Sequence, residues 1–295
     1  MGLTITKVEV PEPEPRPAHL PPRNWQDKPM IIVPGQEKRV PYFRASSIGG
    51  SLEDLTNVNK WKSRLVTLGA YRFPRILDKM SDIKDHDDAE QKKLMNKITE
   101  ELQDLAGMST KALRGTDIHA ISEEMDIGTE MFIPDQYVRP VENYRKLTAE
   151  MERKLGYKVW ATELFGVNDA FKAAGTTDRV GWLKDELCII DLKTSGSMDF
   201  SMGKFAMQLL TYAGMVRYHD LEAQQGAGRY PIHPEEPVSQ VKAYIMWVPQ
   251  SGEQAALGEV NLTEAVEGFK LAEDLRNWRN KWGRKALKFT PTITV

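Results

Sequence analysis

The sequence predicts an α/β fold in which a mixed central sheet is flanked by helices and preceded by a mostly helical N-terminal part. Three observations carry this prediction. Apolar residues recur at helical spacing from Leu52 to Ile121, the period changes to two after Gly156, and a helix, a strand and a helix close the chain. At 295 residues, with 41% hydrophobic and 28% charged side chains, the chain can bury a sizeable core. No internal repeat interrupts this order.

Residues 1–40 hold eight of the seventeen prolines, including "VPEPEPRPAHLPP", and predict an extended arm along the surface. Residues 41–156 form the helical part. There "SLEDLTNVNKWKSRL" offers Ser51 as a cap, and "DDAEQKKLMNKITEELQDLAG" places Leu94, Ile98, Leu102 and Leu105 on one stripe before Gly107. "STKALRGTDIHAISEEM" and "RPVENYRKLTAEMERKLG" read as two further helices. Residues 157–295 contain the sheet: "KVWATELFGV", "GTTDRVGWL" and "LCIIDLKT" are rich in β-branched and aromatic residues. "KFAMQLLTYAGMVRYH" returns to helical spacing, "VKAYIMWVP" reads as a buried strand, and "LTEAVEGFKLAEDLRNWRNKW" as a long amphipathic helix. Residues 41–295 are expected to make one compact domain.

Composition narrows the function. No stretch reaches the ~18 to 20 apolar residues of a membrane helix, and the N-terminus lacks a secretory pattern, so no membrane partner and an intracellular location are expected. The single cysteine, Cys188, excludes an internal disulfide and any four-cysteine zinc or iron–sulfur site built from this chain alone. Charge is unevenly spread. Six basic residues and no acid lie between Leu275 and Val295, which leaves −8 on the rest of a chain whose total is −2.

The hairpin "GTTDRVGWLKDELCIIDLKTS" raises the chemical question. With its turn centred on Lys184 and Asp185, Asp178 faces Asp191, and Lys193 emerges on the same side of the sheet. Opposed carboxylates about 5 Å apart repel, and a shared proton or a cation between them relieves the repulsion. Mg²⁺ or Mn²⁺, which prefer hard oxygen ligands, suit this pair, and the corresponding chemistry is phosphodiester hydrolysis with Lys193 serving the nucleophile. The same residues also fit an exposed edge, with Asp178 in a turn.

With its flanks included, the chain resembles the PD-(D/E)XK nucleases, in particular the RecB-like exonuclease group and its small phage-type members. "RGTDIHAISEE", "AGTTDRV", "IIDLKTS" and "QLLTY" match four family motifs in order, and weaker similarity extends from "YFRASSI" to the terminal helix. The resemblance implies a restriction-endonuclease-like core and a divalent-metal-dependent DNA exonuclease of phage recombination or replication, acting in the cytoplasm of a bacterial host. It implies metal binding by His119, Asp178, Asp191 and the Leu192 carbonyl, catalysis by Asp178, Asp191 and Lys193, and support from Gln208 and Tyr212. Glu123, one turn beyond His119, and Glu163, on the preceding strand, are supporting candidates. The four cysteines of the cluster-bearing relatives are missing, so no iron–sulfur cluster is expected. By family analogy a single-strand annealing or recombination protein is a partner.

DNA contacts are expected from Lys60, Trp61 and Arg64 and from Arg276, Arg279 and Lys281. In the terminal helix the tryptophans also fit packing on the sheet, with the cations facing water. Two readings compete with the exonuclease: an endonuclease of the same fold, and a nuclease-derived DNA-binding or assembly protein without catalysis.

Overall fold

The computed structural model describes residues 3–5, 20–81, 83–198, 201–219 and 228–279. The chain divides into two compact units, one of Met1–Glu53 with Ala120–Val295 and one of Asp54–His119. This division cuts within the segment expected as the helical part, and not at residues 40 and 156.

The first unit opens with β1 (Leu3–Ile5), β2 (Met30–Ile32), β3 (Arg39–Pro41), β4 (Phe43–Arg44) and the short helix α1 (Ala45–Ile48). The extended arm expected over residues 1–40 is therefore corrected in its second half. There β2 and β3 pair as a hairpin, and Ile31 is buried against Tyr42, Phe165 and Val167. The apolar "MIIV" stretch outweighs the local proline bias because burying it removes several side chains from water.

The second unit holds α2 (Thr56–Arg72), α3 (Asp88–Leu105) and the start of α4 (Met108–Asp126). The cap expected at Ser51 is not used; α2 begins five residues later, where the Asp54 carboxylate accepts from the Thr56 N–H at 2.9 Å. Asp87 caps α3 by accepting from the Glu90 N–H at 2.9 Å. Ile98 and Leu102 bury the expected stripe of α3, while Leu105 is 40% exposed. Gly69 sits where α2 meets α3: a Cβ there would lie 2.2 Å from the Leu102 carbonyl oxygen, so only glycine allows this approach.

The first unit resumes with the end of α4, β5 (Met131–Ile133) and α5 (Asp135–Leu155). Gly156 ends α5 in the left-handed region, which glycine adopts without strain. Then follow β6 (Lys158–Asn168), β7 (Ala173–Leu183), β8 (Glu186–Lys193), α6 (Met202–Ala213), β9 (Val216–His219), β10 (Gly228–Tyr230), β11 (Lys242–Trp247), β12 (Ala256–Asn261) and α7 (Leu262–Asn277). The helical reading over residues 204–219 holds only to Ala213, after which "VRYH", two β-favouring residues and two long side chains, joins the sheet as β9.

The sheet has eight strands in the order β10-β9-β6-β7-β8-β11-β12, with β4 on β7. Parallel pairing of β8 with β11 and of β4 with β7 makes it mixed, as the sequence predicts. One face is covered by α1, α6 and α7 through Ile48, Met207, Leu210 and Phe269. No helix among the described residues is long and apolar enough to cross a membrane.

Candidate active site

Everything at the site follows from a fork in the sheet. Lys184 and Asp185 both have positive φ, as a two-residue type I′ hairpin requires, and this turn fixes the register. Leu183 pairs with Glu186 and Arg179 with Ile190, the alignment expected from the sequence. Beyond Arg179 and Ile190 the strands part. From Tyr244↔Ile190 onward β8 continues along β11, and the far end of β7 pairs with β4 at Ala173 and Ala174. Asp178 and Asp191 occupy the first positions past the branch.

Alternation puts Asp178, Asp191 and Lys193 on the face covered by α6. The Asp178 carboxylate accepts from the Leu192 N–H at 2.8 Å across the fork. Asp191 is 2% exposed, and its Oδ1 accepts from Gln208 Nε2 at 3.3 Å, while the same amide donates to the Tyr212 hydroxyl at 3.1 Å. The expected Gln208 and Tyr212 thus form a short chain of hydrogen bonds ending on Asp191. Lys193 Nζ lies 2.5 Å from Asp191 Oδ2 and 4.7 Å from the centre of the Phe205 ring. At that distance the ammonium donates to the buried Oδ2, and Lys193 offsets part of the charge on Asp191.

The electrostatics match this crowding. Burial, and then the Asp178 charge, raise the Asp191 pKa to about 7 in spite of Lys193. Glu163 behaves alike: burial, and then Glu123 and Asp178, raise it to about 8. Glu163 has a φ of 49°, in the left-handed region, within a strand that already carries a register shift between Val159 and Ala161. A non-glycine residue held there costs about 1 kcal/mol or more, and such strain concentrates at functional sites. Tyr212 is pushed up by burial and then by Asp191, so it stays a neutral hydroxyl.

Arg179 escaped the sequence reading. It is fully buried on the opposite face of β7, where its Nε donates to Asp126 Oδ2 at 2.5 Å, one Nη donates to the Ser122 hydroxyl at 2.7 Å, and the guanidinium lies 5.3 Å from the centre of the Tyr144 ring. The Tyr144 hydroxyl donates to the other oxygen of Asp126. Burial opposes the charge on Arg179, but the Asp126 carboxylate outweighs it and keeps the guanidinium protonated. The signal was present in the sequence: an arginine on the apolar face of a strand needs a buried acid, and Asp126 follows Glu123 by three residues on α4.

His119 is the last residue of the second unit, one turn before Glu123 on α4. Lys60 and Arg64 are exposed on α2 with Trp61 half-buried beside them, all in the second unit. Arg276 lies with its guanidinium carbon 3.4 Å from the centre of the Phe43 ring, and Arg279 is exposed just past α7. Lys281 lies outside the described residues.

The model of the PD-(D/E)XK nuclease superfamily matches residues 73–292. The chain belongs to this superfamily. A search of curated proteins finds no match. Membership in the PD-(D/E)XK nucleases carries metal-dependent hydrolysis of DNA, with a divalent ion such as Mg²⁺, and a central mixed sheet flanked by helices is the fold it brings. Among the described residues no three histidine, cysteine or acidic side chains stand together as a ready ion cage. The donors present nevertheless fit a hard cation. Asp191 Oδ2 is a buried carboxylate oxygen, and the neighbouring Asp178 carboxylate raises the cost of a second negative charge, which a bound cation would offset.

Proposed function

We propose that this nuclease is a divalent-metal-dependent DNA exonuclease of phage recombination or replication, working in the cytoplasm of a bacterial host. The observation that carries the hydrolytic reading is the fork itself, where the buried Asp191 carboxylate lies beside the Asp178 carboxylate and against the Lys193 ammonium. The preference for DNA ends and the phage setting rest on the four motifs resembling the RecB-like exonucleases. A single-strand annealing protein is the partner this setting supports.

In this reading Asp178, Asp191 and the Leu192 carbonyl hold Mg²⁺ or Mn²⁺, and His119 is the ligand the resemblance adds. A bound divalent ion supplies a water of lowered pKa and offsets charge on the phosphate. The chain's own groups do the rest. Lys193 rests on Asp191 and Phe205, from where its ammonium orients the attacking water and meets the charge developing on a phosphate oxygen. Gln208 fixes the Asp191 carboxylate, and Tyr212 fixes Gln208. The Leu192 N–H keeps Asp178 turned into the fork. Glu163, protonated near neutrality, shares a hydrogen bond with Glu123 and adds no further negative charge.

Digestion of end-labelled linear DNA, with and without Mg²⁺, by wild type and Asp191→Ala tests this reading. Mononucleotides released only by the wild type with Mg²⁺ are expected, and a covalently closed circle should survive. Cleavage of the circle would replace the exonuclease with an endonuclease, and equal digestion by Asp191→Ala would remove the fork from the chemistry.

A further inference from the structure

The structure also presents a surface that the hydrolytic site does not use. Trp25 is 90% exposed, an unusual state for the largest apolar side chain. It does not hang on a loose loop. Arg23 and Pro29 pair as a β-bridge, and the turn between them is closed by hydrogen bonds from the Asn24 N–H to the Lys28 carbonyl at 3.0 Å and from the Asp27 N–H to the Asn24 carbonyl at 2.9 Å. The Asn24 side chain accepts from the N–H groups of Gln26 and Lys28, both at 3.0 Å. Asp27, with φ 58°, completes a turn that holds the indole outward.

Cations stand on this turn and beside it. Arg23 and Arg44 share the single Asp27 carboxylate, Arg23 at 2.9 Å, so one acid is set against two bases. Lys28 Nζ lies 4.8 Å from the centre of the Phe43 ring, which Arg276 also covers. With Asp27 and Glu273, which faces Arg276, counted against them, these four bases leave a local excess of positive charge in a chain whose body is acidic. The patch also lies near the fork: β4 runs along β7 on the side that β8 vacates, and Arg44 faces Ala174, four residues from Asp178 or roughly 13 Å along the strand.

An exposed aromatic plane with interleaved cations is the chemistry that takes an unpaired base and its phosphates. We propose that Trp25, with Arg23, Lys28, Arg44 and Arg276, forms a stacking platform for a single-stranded DNA segment leading to the fork. This rests on the nuclease reading above and names the strand state of the substrate.

The test is fluorescence anisotropy of a fluorescein-labelled oligothymidylate and of a blunt duplex with the full chain in EDTA, where cleavage cannot interfere. Loss of one base stack predicts that Trp25→Ala weakens oligothymidylate binding about 5- to 150-fold, that Trp25→Phe restores most of it, and that the blunt duplex changes by less than about two-fold. Arg44→Gln should weaken binding at low salt and flatten its salt dependence. As a second measurement, photocrosslinking of a 5-iodouracil oligonucleotide should label Trp25. Wild-type affinity in Trp25→Ala, failure of Trp25→Phe to restore binding, or crosslinks only elsewhere would overturn the platform. A wild type that cleaves DNA without binding the oligonucleotide would overturn the platform alone, and one that neither binds nor cleaves would remove the nuclease reading with it.

Discussion

Replacing Asp191 by asparagine should stabilise the metal-free protein above neutral pH. Its carboxyl titrates at about 7 in the folded protein, against 3.8 for the ordinary group. The folded chain therefore holds this proton where the unfolded chain has lost it. Stability attached to Asp191 is full below the ordinary pKa and drains away as pH rises from about 4 to 7. A shift of about three pH units corresponds to roughly 4 kcal/mol, or on the order of 10 °C in melting temperature. Calorimetry in EDTA at pH 4.5 and pH 8 measures it: Asp191→Asn should melt well above wild type at pH 8 and near it at pH 4.5. Millimolar Mg²⁺ at pH 8 should raise the wild type and leave Asp191→Asn nearly unmoved. Because Glu163 titrates at about 8, from an ordinary 4.5, the variant should still lose some stability with rising pH. Equal melting of the two proteins at pH 8 in EDTA would show that the cost of a charged Asp191, buried and next to Asp178, is not stored in the fold.

Three further outcomes follow from contacts already described. Lys193→Ala should lower single-turnover cleavage about 10²- to 10³-fold while leaving oligonucleotide affinity in EDTA within a few-fold, because in the proposed mechanism it removes a group that acts on the transition state. Arg179→Met should cost about 3–5 kcal/mol in urea unfolding by stranding Asp126, whose carboxyl burial already pushes up, and Arg179→Met/Asp126→Leu should recover part of that loss. Gly69→Ala should destabilise the helical unit by about 1–3 kcal/mol, seen as an earlier loss of helical circular dichroism, since the new methyl meets a carbonyl oxygen and not a movable side chain.

What was legible in the sequence were features with a short physical range. The two-residue turn fixed which residues of β7 and β8 face each other, so the register and the shared face of Asp178, Asp191 and Lys193 could be read before any tertiary contact was known. The stripe on α3 and the strand β11 came from periodicity in the same way. What could not be read depends on partners far along the chain. Residues 20–40 look unstructured because proline dominates their local preference, and it takes distant residues such as Phe165, Val167 and Tyr218 to give Ile31 a place to be buried. Nothing in "TEL" signals that Glu163 adopts a left-handed backbone, because it lies where the pairing with β7 skips a position between Thr162↔Arg179 and Leu164↔Thr177. Trp25 reads as one more aromatic in a polar stretch until the turn around it is seen to be closed by hydrogen bonds.

The dipeptide Asp178–Arg179 shows how strand geometry divides labour at this site. Neighbouring side chains on a strand point to opposite faces, so one residue reaches the fork and the next reaches α4 and α5. On its face Asp178 sits where the ladder between β7 and β8 has just ended, and there it takes the N–H of Leu192. On the other, Arg179 is gripped by Asp126, Ser122 and Tyr144, none of which can move without stranding a buried charge. The strand is thus anchored one residue before it diverges. An open fork with two carboxylates repelling across it would be free to splay if β7 were held only by its ladder. Fixing the adjacent residue from behind keeps the carboxylates close enough for their repulsion to persist, which is the condition on which the proposed hold on a cation rests.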